Sequence, residues 1–265
     1  MKKKLSLVIY FSFLIIYLEL VYKLFVLNNV FSINSLTIIL FSIPFIMINT
    51  ILCSLFSEKV NRGISIILSL FLTFIFVSQY VYYLFYDSIF SVYSVKEGTG
   101  QVFGEFFNAI VKMVSDNVLS IILLLMPFIL FLIFGKKIFS FNKGKKSLVI
   151  ESISLLIFII ISLITVMFND KGMYSLKNVY TKTHAPMITI NKVGLLSMEC
   201  LDLERYLFGF EEKLYNVKPS ESNKGDDIEE VKYVAEAILR HRIFKNYKAE
   251  AEHIRVEDLI REFIK

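Results

Sequence analysis

Five blocks rich in Ile, Leu and Phe, separated by short polar stretches, occupy the first 168 of 265 residues. They predict helices at about 5–27, 34–56, 64–86, 118–134 and 148–168, each near the length needed to cross roughly 30 Å of hydrocarbon. The first block follows Met1 to Lys4 as a signal peptide would. It has no small-x-small cleavage site, however, and stays apolar to Leu27, about 23 residues or roughly 34 Å of helix. A retained first span is therefore expected. The expected fold class is an all-α polytopic membrane protein with five transmembrane helices, interfacial helices and a short extracellular helical tail.

Between the third and fourth blocks, Phe103, Phe106, Phe107, Ile110 and Val114 recur at helical spacing opposite Glu105, Asn108 and Lys112. This pattern predicts a helix lying in the membrane interface. Gly98, Gly100 and Gly104, before or at its start, allow the chain to turn from a vertical to a horizontal path. Tyr80, Tyr82, Tyr83 and Tyr86 close the third span as an aromatic belt.

Composition strengthens the membrane reading: 55% of the residues are hydrophobic and the mean hydropathy is +0.62. The net charge of +5 could suggest a nucleic-acid partner, but the lysines sit in short loops beside the apolar blocks. Lys2, Lys3, Lys4, Lys59, Arg62, Lys136, Lys137, Lys143, Lys145 and Lys146 fall on one side, and only Lys96 and Lys112 on the other. That asymmetry predicts a multi-pass cell-membrane protein with a cytoplasmic N-terminus and an extracellular C-terminus. Cys53, in an apolar block, and Cys200, in the tail, suggest neither a disulfide framework nor a metal site.

Two charges lie within the first span. Glu19 and Lys23 stand at i and i+4 in its outer half, which favours a pair reaching towards the outer headgroups. A sharper alternative is contact with a phospholipid headgroup, Lys23 meeting the phosphate; with Phe103, Phe106, Phe107 and Ile110 they form the candidate lipid-contact set. Asn49, Gln79, Pro44 and Pro127 are expected to serve helix packing. Converging ionisable groups and repeated broken helices, which a transporter would need, are not in the sequence.

Four regions follow: a five-helix domain at 1–168, an extracellular juxtamembrane connector at 169–216, a linker at 217–227 and a charged helical hairpin at 228–265. In the connector, Leu195, Met198 and Leu201, with Leu207 and Phe208, are expected to face lipid, and Glu199, Asp202 and Arg205 to face water. Leu195, Met198, Leu201, Arg205 and Phe208 are the candidate juxtamembrane platform. In the hairpin, Ile228, Val231, Val234, Ala235, Ile238 and Leu239 form one apolar stripe, and Ile254, Leu259, Ile260 and Phe263 a second. His184, His241 and His253 are too dispersed for a metal site, and no glycine-rich phosphate loop, GxSxG or HExxH occurs.

The five spans, the outside C-terminus and the stretch from Thr183-His184-Ala185-Pro186 through Asn191-Lys192-Val193-Gly194 to Phe208-Gly209-Phe210-Glu211-Glu212 resemble the lipoteichoic acid synthase family. That family is related to sulfatases and alkaline phosphatases, and the resemblance covers roughly residues 1–216. It implies a membrane domain and connector that lead into an extracellular sulfatase-like domain. Such a domain transfers glycerol phosphate from phosphatidylglycerol with a threonine nucleophile and a divalent metal, commonly manganese. Only 48 residues remain from Lys218 onward, too few for that fold. The resemblance therefore assigns no catalytic residue, metal ligand or cofactor here, and the chain by itself is expected to be inactive. Two functions follow from these readings: the membrane anchor of a phosphoglycerol transferase, with phosphatidylglycerol as a possible lipid partner, or a non-enzymatic membrane scaffold that binds a protein through 228–265.

Overall fold

The computed structural model describes residues 4–30, 32–95, 107–142, 144–168 and 174–210, with the backbone alone at 94, 95, 107–110 and 145. The chain divides into two compact units, Met1–Tyr215 and Asn216–Lys265, and every described residue belongs to the first. The linker and the hairpin stripes read from 217–265 lie outside the described residues, as do Phe103 and Phe106.

Five helices are long and apolar enough to cross a membrane: α1 (Leu7–Leu27), α2 (Ile33–Leu52), α3 (Glu58–Tyr86), α6 (Val118–Ile138) and α7 (Lys145–Phe168). The protein is an all-α polytopic membrane protein. Hydropathy finds these helices because every backbone N–H and C=O inside lipid must be paired within its own segment. It misjudges their ends where a helix continues past the hydrocarbon. Thus α3 starts at Glu58, six residues before the apolar block, and α6 runs through Lys136 and Lys137 to Ile138. Charged residues leave the apolar window without breaking the helix. Conversely, α2 stops at Leu52, short of Phe56, because the chain turns at Cys53 and Ser54.

Helix α1 is the axis of the packing, touching α2, α3 and α6. Leu7, Tyr10, Phe11, Leu14, Ile15, Leu18, Tyr22 and Val26 are all buried on it. Helix α7 packs mainly on α2 and leaves Ile153, Leu156, Ile160 and Leu163 exposed, as lipid-facing surface. A stripe on α3 admits close approach: Asn61, Ser65, Ser69 and Thr73 recur every four residues and are fully buried. The hydroxyls of Ser65 and Ser69 donate to the carbonyls of Asn61 and Ser65 at 2.8 and 2.6 Å, so neither demands a partner from the facing helix.

At the end of the bundle carrying Lys4, Lys59, Arg62, Lys136, Lys137 and Lys146, three connections are sewn together. A two-residue parallel pair joins β1 (Leu5–Ser6) to β2 (Phe139–Ser140). Beside it, the Asn61 amide accepts from Phe56 N at 2.9 Å and donates to the carbonyls of Phe56 at 2.8 Å and Phe141 at 2.9 Å. At the other end, α4 (Val92–Val95) follows α3, and α5 (Phe107–Asp116) runs into α6 through the single residue Asn117. Phe107 and Ile110 lie on α5, so a helix forms in the described part of the segment read as interfacial.

Replacing Asn61 with Leu removes the partner of three main-chain groups, a loss of about 2 kcal/mol. Detergent-solubilised Asn61→Leu is expected to unfold at lower temperature and to exchange amide hydrogens faster at 53–57 and 139–142. Ser65→Ala, which breaks only a bond within its own helix, should leave both readouts near the parent.

Candidate functional site

Three short helices follow α7: α8 (Leu176–Thr181), α9 (Pro186–Val193) and α10 (Leu195–Phe208). Local chemistry starts each one. The Ser175 hydroxyl caps α8 by accepting from Asn178 N at 3.2 Å, and Pro186 occupies the first turn of α9. Gly194, at φ +87°, ends α9 and begins α10 with no intervening residue.

The acid that satisfies the start of α10 comes from α1. Glu19 Oε2 accepts from Leu195 N at 2.7 Å and Oε1 from Leu196 N at 3.0 Å, with the side chain only 2% exposed. This is an N-cap delivered from another helix: a carboxylate on two otherwise unpaired N–H groups at the positive end of a helix. Glycine is required beside it for two reasons. Its φ disfavours any side chain, and a Cβ at 194 would stand 2.6 Å from Glu19 Oε2. Glu19 lies eight residues before the end of α1, about 12 Å along the helix, so the start of α10 is set among the spans. Helices α9 and α10 both contact α2, and α9 contacts α1.

Glu19 and Lys23 thus do not form the outward-reaching pair expected at i and i+4. Lys23 is 1% exposed and turns to the start of α2, donating to Ser32 Oγ at 2.8 Å and Ser35 Oγ at 3.0 Å. Glu19 is enclosed by protein, with both oxygens on α10. The two N–H groups at the helix start take one carboxylate oxygen each, a two-point charge-assisted contact.

The platform is also turned relative to expectation. Leu195, Met198 and Leu201 are buried in protein, as are Asp202 and Arg205, and Leu203, Leu207 and Phe208 form the exposed apolar edge. Of the five platform residues only Phe208, 84% exposed, looks outward. Helical spacing identifies a shared face, but it does not tell whether the face meets lipid or a neighbouring helix.

The polar residues of α10 fasten the neighbouring segments. Asp202 Oδ1 accepts from Ser91 Oγ at 2.5 Å, and Oδ2 accepts from Val92 N and Tyr93 N at 2.5 and 3.3 Å, which caps α4. Arg205 Nη2 donates to the carbonyls of Val179 and Tyr180, at 2.9 and 3.3 Å, and its guanidinium carbon lies 4.3 Å from the centre of the Phe210 ring. His184 bridges these two groups, with Nε2 3.2 Å from Ser91 Oγ and Nδ1 3.2 Å from Arg205 Nη1. Serine, histidine and aspartate are the components of a nucleophilic triad, but their order here is wrong for one. Arg205 has no lone pair, so Nδ1 accepts; the proton is then on Nε2, facing a Ser91 that donates to Asp202. Histidine so arranged cannot take the serine proton. The crevice lined by His184, Thr189, Met198, Asp202 and Arg205 is too tight for a water molecule. Among the described residues no three His, Cys, Asp or Glu side chains are grouped to hold a metal ion.

A further tie joins α10 to α3. Gln79 Nε2 donates to the Phe90 carbonyl at 2.9 Å and to Glu199 Oε1, and Gln79 Oε1 accepts from Phe90 N at 3.1 Å. Asn49, by contrast, donates to Phe45 O on its own helix. Burial pushes the Glu199 carboxyl up to about 7, the Gln79 amide opposing the shift and the Asp202 charge adding to it. The contributions of Ser91, Gly194 and Asp202 escape a reading by composition. Gly194 between two helical stretches, with an acid inside a span, is the one local sign of this junction.

Glu19→Ala and Gly194→Ala are each expected to loosen the start of α10 by about 2 kcal/mol, the scale of a lost cap with buried N–H groups left unpaired. Hydrogen exchange should quicken across 186–205 in both while the core of α1 and α3 stays protected. Unchanged exchange at Leu195 and Leu196 would contradict the capping role. For Glu199 the folded chain holds its proton more tightly than the ordinary value of 4.5. Its contribution is therefore complete below about 4.5 and lost as pH rises through about 7. The thermal midpoint of the parent should fall over that window relative to Glu199→Gln. No protein-family model matches the sequence, and comparison with curated proteins and with solved structures returns no match.

Proposed function

We propose that the chain is the membrane anchor and surface platform of a lipoteichoic-acid-synthase-like phosphoglycerol transferase, acting in synthesis of a cell-envelope polymer. In this reading the lysine-rich connections face the cytoplasm and α8–α10 lie at the outer leaflet. The observation that carries the proposal is the Glu19 cap on α10. A plain tether would let whatever follows the last span drift with its linker. Here the chain leaves α7 and is fastened again to α1, so it departs from Phe210 at a fixed point near the bilayer. An enzyme that draws phosphatidylglycerol from the membrane benefits from such placement, because position and orientation carry much of the rate. The exposed edge of Leu203, Tyr206, Leu207 and Phe208 supplies the adjoining lipid contact.

The proposal is tested by grafting residues 1–210 in place of the membrane domain of an active synthase. The chimera should restore glycerol phosphate polymerisation in a strain lacking the enzyme, and Glu19→Ala in the graft should lower it about tenfold or more while membrane insertion is retained. Reporter fusions after Lys146 and Asn169 should read inside and outside. A chimera that inserts in this topology and makes no polymer would defeat the transferase reading.

A further inference from the structure

The cations at the end of the bundle that carries the strand pair come from three separate stretches of chain. Lys4 precedes the first span, Lys59 and Arg62 lie on the first two turns of α3, Lys136 and Lys137 on the last turn of α6, and Lys146 on the first turn of α7. Main-chain contacts fasten these stretches to one another. Leu5 pairs with Phe139, so Lys4 and Lys137 stand one and two residues before partners on strands roughly 4.8 Å apart. Asn61, between Lys59 and Arg62, donates to the Phe141 carbonyl at 2.9 Å, which brings those two cations to the same connection.

Little at this end opposes the charge. Among the described residues no carboxylate forms an ion pair with any of these cations. Glu151 is buried and accepts from Ser147 Oγ at 3.3 Å, which leaves Glu58 as the exposed acid described here. Like charges held together repel one another, and a bound anion relieves that cost. Apolar side chains stand exposed among the cations: Leu5, then Leu55 and Phe56 in the turn between α2 and α3, and Ile138 at the end of α6. A nucleic acid or an acidic protein would leave them in water. The boundary between headgroups and acyl chains meets both kinds of group, because lysine stems lie along hydrocarbon while the ammonium reaches a phosphate.

We infer that this fastened basic end is a binding surface for an anionic phospholipid of the adjoining leaflet. Lys59 and Arg62 from one connection and Lys136 and Lys137 from another meet the headgroup phosphate, and Leu55, Phe56 and Ile138 meet the acyl chains. Charge alone would hold lipid loosely along independent loops. Asn61 and the strand pair keep the cations together before any lipid arrives, so one headgroup meets two connections at once and less freedom is lost on binding. The surface lies away from α10, which contacts α4 at the other end, and does not rest on the transferase reading.

The test uses the full chain, delipidated in neutral detergent and titrated separately with phosphatidylglycerol, with phosphatidylcholine of the same acyl chains, and with soluble glycerol phosphate, binding being read by native mass spectrometry. Phosphatidylglycerol should bind about tenfold or more tighter than either of the others. Lys59→Gln and Lys137→Gln should each weaken it about fivefold, the scale of one basic residue at an anionic surface, while Lys112→Gln at the other end leaves it unchanged. Asn61→Leu removes no charge and should weaken binding by a similar factor, and Ser65→Ala should not. Equal binding of phosphatidylcholine or of glycerol phosphate, or phosphatidylglycerol binding undiminished in Lys59→Gln and Lys137→Gln, overturns the inference. Parent-like binding by folded Asn61→Leu also overturns it, since dispersed charge would then suffice. Lys59 and Lys137 are exposed, so their variants keep the test decisive if Asn61→Leu does not fold.

Discussion

A single buried carboxylate organises the end of this molecule that lies away from the basic loops. Glu19 holds both leading N–H groups of α10, and the approach is close enough that only glycine fits at 194. Because α10 starts there, Glu199 comes to Gln79, Asp202 to Ser91 and the start of α4, and Arg205 to the carbonyls that end α8. These contacts depend on one another through a rigid helix of 14 residues. An acid inside a span is costly, and here the cost is offset by two charge-assisted hydrogen bonds in a place that excludes water.

The two ends of the bundle use the same device in different chemistry. One has Asn61 binding the main chain of two connections, and the other has Glu19 and Gln79 binding a helix start and a turn. Between them α1 and α3 meet through aromatic and aliphatic side chains, and the hydroxyls of Ser65 and Ser69 are satisfied within their own helix. The ties to main chain gather towards the two ends, and between them Tyr17 Oη donates to the Leu123 carbonyl of α6 at 3.1 Å. Such a division suits a bundle in lipid, where apolar surface alone gives no preference for one helix neighbour over another.

The five spans were legible because an apolar run of about 20 residues in a membrane has one structural solution, whatever it packs against. Their ends were less so, since α3 and α6 continue through Lys59, Arg62, Lys136 and Lys137 on helical hydrogen bonds that hydropathy does not register. The period of four in Asn61, Ser65, Ser69 and Thr73 is readable as a packing stripe. Glu19 was read as a local partner of Lys23 because the i, i+4 rule sees only neighbours, and its true partners lie 176 and 177 residues away. For α10 the shared face of Leu195, Met198 and Leu201 was read correctly, but it was expected to meet lipid, and Asp202 and Arg205 water, whereas all five are buried in protein.

That long separation bears on how the chain is made. At roughly 5–20 residues per second, about 10–35 s pass between synthesis of Glu19 and of the backbone that receives it. During this interval α1 is already made and carries an acid whose final partners do not yet exist, whereas Lys23 meets Ser32 and Ser35 at the start of the next helix. Newly inserted α1 must therefore shelter this acid in the translocation machinery, in local water or against early neighbours until the start of α10 arrives. The residue that fastens α10 in the finished protein is thus one whose partners are made 176 and 177 residues after it.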